Sequence, residues 1–421
     1  MKLKYIIIIA LLVGYGMHSQ IIDIPDTNFK YKLVNTICAD TNGDGNPDSN
    51  VDSNNDGEIQ VGEAQVVLGL QLSNNFSTPN AEKIISLEGI QYFINILDFR
   101  FDHNLVTNFD NSQNSSLKLL SCIYNELSTI DVSLNSNLEY LRCHNNLLSS
   151  IDVTQNQNLL WLDCGQNQIS HLDVTQNLLL YWLSCGDNQL NSLDVSHNLF
   201  IERIHCHGNQ LSILDVSQNT LLKRMSISFN PISNIDLSQN LVLYWLNCDN
   251  TQIVNLDLSQ QQELTVLTCN NNILNNLNIK NGNNEFMWWM DATENPNLMC
   301  IQVDDETATR PPCQGPPTFE GWCKDISATY SEECILGIND IEIHSQIFLY
   351  PNPVQNKVNI INDSQYKITS IKVFDILGKL VLYEKHHFSQ IDFSELMGNF
   401  FLVNIQTDKK VFVKKIVTKL N

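Results

Sequence analysis

Three consecutive stretches, LEYLRCHNNLLSSIDVTQNQN (138–158), LLWLDCGQNQISHLDVTQNLL (159–179) and LYWLSCGDNQLNSLDVSHNLF (180–200), are variants of one 21-residue unit. Cys143, Cys164 and Cys185 mark the same place in each. The interval runs back to Cys122 and on to Cys206, Cys248 and Cys269, with Ile227 filling the vacant rung. Two positions ahead stand Leu120, Leu141, Leu162, Leu183, Ile204, Met225, Leu246 and Leu267. Three positions after stand Asn125, Asn146, Asn167, Asn188, Asn209, Asn230 and Asn272, with Thr251 the exception. An aspartate series follows, from Asp131 and Asp152 to Asp257, inside a repeated IDV or LDL. A period this strict is the mark of stacked repeats, each too small to bury its apolar face without its neighbours.

Alternation around each rung, with Leu141 and Cys143 inward and Arg142 and His144 outward, describes a half-buried strand. The asparagine falls where the chain leaves that strand, so its amide can bond backbone groups left unpaired along the stack. A second apolar stretch in so short a coil leaves little room for helix. The pattern resembles the leucine-rich repeat family, in the short form common in surface proteins of Bacteroidetes-type bacteria, over residues 96–300. The resemblance implies a horseshoe solenoid, mainly β, with a parallel sheet on its concave face.

The chain has 421 residues, 43% hydrophobic and 17% charged, enough for a continuous core. Residues 1–19 carry Lys2 and Lys4, an apolar run too short to span a bilayer, then small and polar residues, which reads as a signal peptide cut near Ser19. No second long apolar segment follows, so no membrane span is expected. The formal charge of −22 opposes binding to nucleic acid or anionic membrane.

Seven of the 12 cysteines are rungs, where cysteine acts as a small hydrophobe. In-register neighbours lie about 4.8 Å apart with poor torsion for a bond, so free thiols are expected. Cys300, Cys313, Cys323 and Cys334 follow the last repeat and allow three pairings. Similar surface proteins close the solenoid end with a bridge over this segment. That resemblance implies Cys300 with Cys334, and second Cys313 with Cys323.

Ahead of the repeats, residues 21–95 form a cap. IPDTNFKYKLVN (24–35) begins with capping residues and spaces Phe29, Leu33 and Val34 on one helix face. Asp52, Asn54 and Asp56 then alternate, Gly57 follows, Glu58 offers a carbonyl, Gln60 can act through water and Glu63 closes the loop. This is the EF-hand calcium pattern, in which a bending loop brings about six to eight hard oxygens to the ion. The competing reading is a solvated Asn/Asp/Gly turn. Asp40, Asn42, Asp44 and Asp48 begin a second such run, but Val51 stands where its closing glutamate belongs. At either loop calcium would be structural, fixing the cap to the first repeat.

Residues 301–345, with RPPCQGPP and the cysteine group, read as an irregular C-cap and linker. From 346 to 421 short alternating strands separated by turns suggest a small Ig-like β-sandwich. Tyr350, Pro351, Asn352 and Pro353, then Asp375, Gly378 and Lys379, then Gly398 and Phe401, then Lys414, Lys415 and Ile416 make this segment resemble the type IX secretion system C-terminal sorting domain. Phe401 stands where a tyrosine is common. The resemblance implies export by that machinery and a secreted or outer-membrane-surface location. The segment carries 10 lysines against 6 acids, opposite in sign to the body.

Register also names the outward columns of the concave sheet. One runs Tyr140, Trp161, Trp182, Arg203, Arg224 and Trp245; beside it run Arg142, Asp163, Ser184 and His205, then His144, Gly165, Gly186 and His207. The aromatics, with two glycines leaving space alongside, form a surface for a protein side chain or a glycan ring. They could equally stack on one another. Trp288 and Trp289 are assigned to shielding the open end of the core. His205, Cys206 and His207 are no metal box, since the cysteine faces the core. Asp163 and Asp249 lie about 19 Å apart by strand spacing, too far for a glycosidase pair. No nucleophile elbow, zinc helix motif or phosphate loop is present, so no enzyme is expected. The sequence reads as a secreted or cell-surface recognition or adhesion protein for a macromolecule, foremost a protein; the alternative is a glycan-binding protein using the Tyr/Trp stripe.

Overall fold

The computed structural model describes residues 20–315, 318–334 and 347–350 and, between 354 and 417, all but 355, 363–366, 376–377, 397, 399 and 410. The expected signal peptide, linker residues 335–346 and Pro351, Asn352 and Pro353 lie outside the described residues. The chain divides into two compact units, Met1–Cys334 and Ile335–Asn421.

The first unit is a solenoid with few helices. Three-residue strands recur once per coil, among them Tyr140–Arg142, Trp161–Asp163, Trp182–Ser184 and Arg203–His205. Like positions pair directly, Tyr140 with Trp161, Trp161 with Trp182 and Trp182 with Arg203, all parallel. One core runs the length of the unit, and the leucine and cysteine rungs are fully buried in it. All eight unbridged cysteines are buried thiols.

The asparagine after each rung works as its position suggested. Asn188 Nδ2 donates to the carbonyls of Cys164 (3.0 Å) and Cys185 (3.2 Å), and its Oδ1 accepts from Ile169 N (2.9 Å). The amide therefore ties its own coil to the preceding one at two points. At the exception, Thr251 Oγ1 donates to Cys248 O and to Asn272 Oδ1 and so keeps part of the ladder. A second buried column has the same function but no role was assigned to it from sequence: Asn156 Nδ2 donates to Val132 O (3.0 Å) and Asn135 O (2.9 Å), repeated at Asn177, Asn198, Asn219 and Asn240. The aspartate series makes turns, as where Asp152 Oδ1 accepts from Thr154 N (2.9 Å).

The sheet exceeds the repeat boundaries expected at 96 and 300. Its 13 strands begin with antiparallel Ala39–Asp40 and Gly69–Gln71 in the cap and end with Trp289–Ala292 and Gly321–Lys324. Leu70 pairs with Phe99, and both it and Leu72 are fully buried, as the rung residues are. A second parallel sheet of four strands, Asn255–Asp257, Asn276–Asn278, Cys300–Gln302 and Thr329–Ser331, forms only in the last coils. The cap helix spans Thr27–Asn35. Asp26 caps it through Asn28 N and Phe29 N, while Phe29 and Leu33 close the core. At the other end Cys300–Cys334 and Cys313–Cys323 are both bridged. Gly321 (φ +94°) is required there, because a Cβ would stand 2.2 Å from Pro312 O.

The second unit is two antiparallel sheets around one core. Ile347–Tyr350, Lys357–Asn362 and Gln390–Asp392 form one; Leu380–Glu384, Ile368–Phe374, Phe400–Thr407 and Val411–Val417 form the other. Phe401 is buried edge-on against Phe393 at 5.4 Å, so phenylalanine fills this place without a hydroxyl to satisfy.

Asn188→Ala strands the Ile169 N–H and leaves the Cys164 and Cys185 carbonyls with one amide donor each, from Asn167 and Asn209, and is expected to lower unfolding free energy by about 1–3 kcal/mol. Thr251→Asn, which completes the ladder, is expected to raise it by about 1 kcal/mol. Urea unfolding followed by circular dichroism checks both.

Candidate functional site

The outward columns of the 13-stranded sheet are only half buried, and their side chains order one another. Trp161 and Trp182 stack face to face, ring centres 3.9 Å apart and 9° from parallel. The Arg203 guanidinium covers the other face of Trp182 at 4.4 Å. Arg224 leaves the column to lie over the Tyr244 ring at 5.0 Å, and its Nε donates to the Tyr244 hydroxyl. Trp245 joins Val266, Trp289 and Cys323 in a separate apolar cluster. Of the expected column, Trp161, Trp182 and Arg203 thus form one stack, Tyr140 sits beside Trp161 in register, Arg224 turns to Tyr244, and Trp245 packs with Val266 and Trp289 farther along the same column.

The two glycines leave no empty space. A Cβ on Gly165 would meet His144 Nδ1 at 2.9 Å, and one on Gly186 would meet the His207 ring at 2.5 Å. The glycines are needed because histidines of neighbouring coils lie over them. His144 Nδ1 approaches Asp163 Oδ1 (3.7 Å), and His207 Nε2 approaches Asp187 Oδ2 (3.5 Å). His205 lies between Trp182 and Trp245, at 6.0 and 6.3 Å. Burial, and then His207, Arg203 and Arg224, hold its imidazole below the ordinary range. Arg142 faces Asp163 in register without pairing to it, and its Nε is buried without a partner.

Tyr181 and Tyr244 are contributors that alternation hid. Each precedes its three-residue strand, so neither obeys the strand's inward-outward rule. Tyr181 stands edge-on to Trp161 at 6.4 Å. Trp289 is buried on the outward column under Phe319 (5.6 Å), rather than at the core's end. Trp288 is 52% exposed and lines a cleft of about 590 Å³ with Asp304, Arg310 and Trp322, so it shields no core either.

In the cap, Asp52 and Glu63 are buried and have no cationic partner among the described residues. Asp52 accepts from Asp56 N and Gly57 N; Glu63 accepts from Ser53 N, Asn54 N and Gln60 N. The first acidic run repeats this plan. Asp40 accepts from Asn42 N, Gly43 N and Gly45 N, and Asp48 accepts from Thr41 N and Asn42 N. Asp48 therefore does for Asp40 what Glu63 does for Asp52, and Val51 is instead buried. The Glu58 side chain is drawn away to Lys30 (2.6 Å). Among the described residues no three His, Cys, Asp or Glu groups converge as a metal site.

Residues 348–419 match the family model described as the secretion system C-terminal sorting domain. The chain ends in that sorting domain. The tail marks a secreted or cell-surface protein, and no helix among the described residues is long and apolar enough to cross a membrane. No curated protein matches the chain. Among solved structures it is similar to leucine-rich repeat proteins, in fold alone. One, from Leptospira interrogans, is 23% identical over 51% of this chain and 58% of its own, with a TM-score of 0.45. The leucine-rich effector YopM of Yersinia pestis is 20% identical over 56% of this chain and 70% of its own, at 0.44. The functional domain of InlJ from Listeria monocytogenes, described as including a cysteine ladder, is 16% identical over 96% of this chain and 99% of its own, at 0.32. The chain thus spans little more than half of the Leptospira protein.

Burial beside Asp291 pushes the Asp249 carboxyl up to about 6, against an accepted bond from Asn270 N. The folded state then holds a proton that the unfolded chain has released, so this group's contribution is full below its ordinary value of 3.8 and lost as pH rises through 6. The turn aspartates, such as Asp152 and Asp173, are lowered by bonds from Thr154 and Thr175, and their contribution is lost as pH falls below 3.8. Asp249→Asn is expected to melt higher than the parent chain at pH 7, with the gap closing by pH 4, as read by scanning calorimetry.

Proposed function

We propose that this chain is a secreted or cell-surface recognition protein whose concave sheet binds another macromolecule, foremost a protein, and whose tail engages the type IX export machinery. The observation that carries this reading is the outward stack of Trp161, Trp182 and Arg203. Three large side chains are held in fixed order on a half-exposed surface while the core is complete without them. Rigid aromatic and arginine groups of this kind are what binding hot spots are made of. A glycan ring stacks on an open indole face, and both faces of Trp182 are taken, which favours a protein. No enzymatic activity is proposed. A signal peptide at 1–19 and an Ig-like tail fit the same reading, the two antiparallel sheets of the second unit suiting a sandwich.

We further propose structural calcium in the cap. Asp52, Asn54, Asp56, the Glu58 carbonyl, Gln60 through water, and Glu63 would hold it, with a second site at Asp40, Asn42, Asp44 and Asp48. Two buried carboxylates without a cationic neighbour suit a hard cation, which would neutralise them.

Binding of the purified chain to arrayed cell-surface proteins and polysaccharides tests the first reading. Trp182→Ala is expected to weaken protein hits about tenfold or more with the fold retained. Hits confined to polysaccharides would reverse the choice of partner. For calcium, chelator is expected to lower the melting temperature by several degrees and Glu63→Gln to abolish that response; an unchanged melting temperature would sink the assignment.

A further inference from the structure

The chain holds only five arginines, and four of them, Arg100, Arg142, Arg203 and Arg224, stand on strands of the 13-stranded sheet. Arg100 is neutralised by Asp98, through two bonds of 2.8 and 2.6 Å. Arg203 and Arg224 have no carboxylate within ion-pair distance among the described residues, although the chain carries 46 acids. Each guanidinium stands over an aromatic ring, Arg203 over Trp182 at 4.4 Å and Arg224 over Tyr244 at 5.0 Å. Stacking fixes the plane of a guanidinium and leaves its outer N–H groups for a two-point bond to a carboxylate.

The same coils carry an apolar ridge. Leu178, Leu199, Phe200, Leu221 and Leu241 are each 44–55% exposed, and each lies a few residues ahead of its coil's strand. In the flanking coils the first of these positions are polar, Gln157 before and Gln262 after. Exposed apolar surface gathered in this way marks an interaction site. The cationic region is short. Asp163 and Asp187 bound it on one side and Asp249 and Asp291 on the other. A long polyanion would have to cross those acids, whereas one acidic side chain would not.

We propose that the coils spanning 177–249 receive a protein segment that places a carboxylate on the guanidinium of Arg203 or of Arg224 and apolar side chains on the Leu199–Phe200 ridge. This rests on the recognition reading above and specifies the partner's chemistry.

The test uses the full chain as bait for a display library of short random peptides, then synthetic copies of the selected sequences. Selected peptides are expected to place Asp or Glu beside Leu or Phe. Replacing that acid by Asn or Gln, or using the Arg203→Ala/Arg224→Ala variant, is expected to weaken binding about tenfold. Arg203→Lys, which keeps the charge but not the fork, should lose part of this, Phe200→Asp should also weaken binding, and Arg100→Ala should change nothing. Circular dichroism and melting temperature verify that each variant is folded. Peptides that bind equally well without their acid, or equally well to the double variant, overturn the proposal; if Trp182→Ala still abolishes their binding, the recognition reading stands alone. A selection with no acidic peptides overturns it too. Retention of heparin or polygalacturonate alone, lost in the double variant, overturns the protein partner as well.

Discussion

The coils leave their strands through a sharp turn, and in all but the coil of Thr251 the amide of one asparagine makes that turn possible. In successive coils the residue just before the asparagine is left-handed: Asn145 (φ 56°), Gln166 (48°) and Asp187 (52°). These three are not glycine, so each costs roughly 1 kcal/mol or more, whereas Gly208 (φ 62°) takes the same place in the next coil. The turn also leaves rung carbonyls facing the core, where water cannot reach them. Asn146, Asn167 and Asn188 bond those carbonyls together with those of the preceding coil. A coil is therefore satisfied only when its neighbour is in place, and the polar wiring has the same nearest-neighbour logic as the apolar stack.

An array of this kind has two open ends, and the chain treats them differently. The first end is closed by a helix laid across the core and joined to the sheet by one antiparallel pair. At the last end, coils lengthen, a second parallel sheet appears on the opposite wall, and two disulfides tie the closing segment. That segment also roofs the end of the outward aromatic column, through Phe319 over Trp289. At that end Val266 and Trp289 are buried on the outward column, whereas Trp161, Trp182 and Arg203 remain half-exposed.

Regularity made most of this legible in the sequence. The rung interval, the inward cysteines, the asparagine ladder and the cap helix face follow from period and alternation, because every coil meets the same surroundings. Legibility fails where surroundings differ. Leu70 and Leu72 take rung positions at a spacing unlike the repeat, so the sheet's true start was hidden. Gly165 and Gly186 looked like space for a ligand, but what fills a glycine's space depends on a histidine one coil away. Trp161 and Trp182 face outward as expected, and of the two readings open to them they take the stack on one another, a choice of rotamer that spacing left undecided. Asp48 closes its loop from an unexpected position, since a side chain can reach the same amides from more than one place along a tight turn.

The buried thiols carry a consequence for how the chain must be made. In the folded solenoid burial holds thiols such as Cys164 and Cys185 far above their ordinary range, so they stay protonated and inert. Before coiling, all 12 cysteines are equivalent, and an oxidising compartment would join any two that met. Correct maturation is then a race between zipping and oxidation. Coils that stack first withdraw their sulfurs one after another, until only the four at the far end remain to be joined.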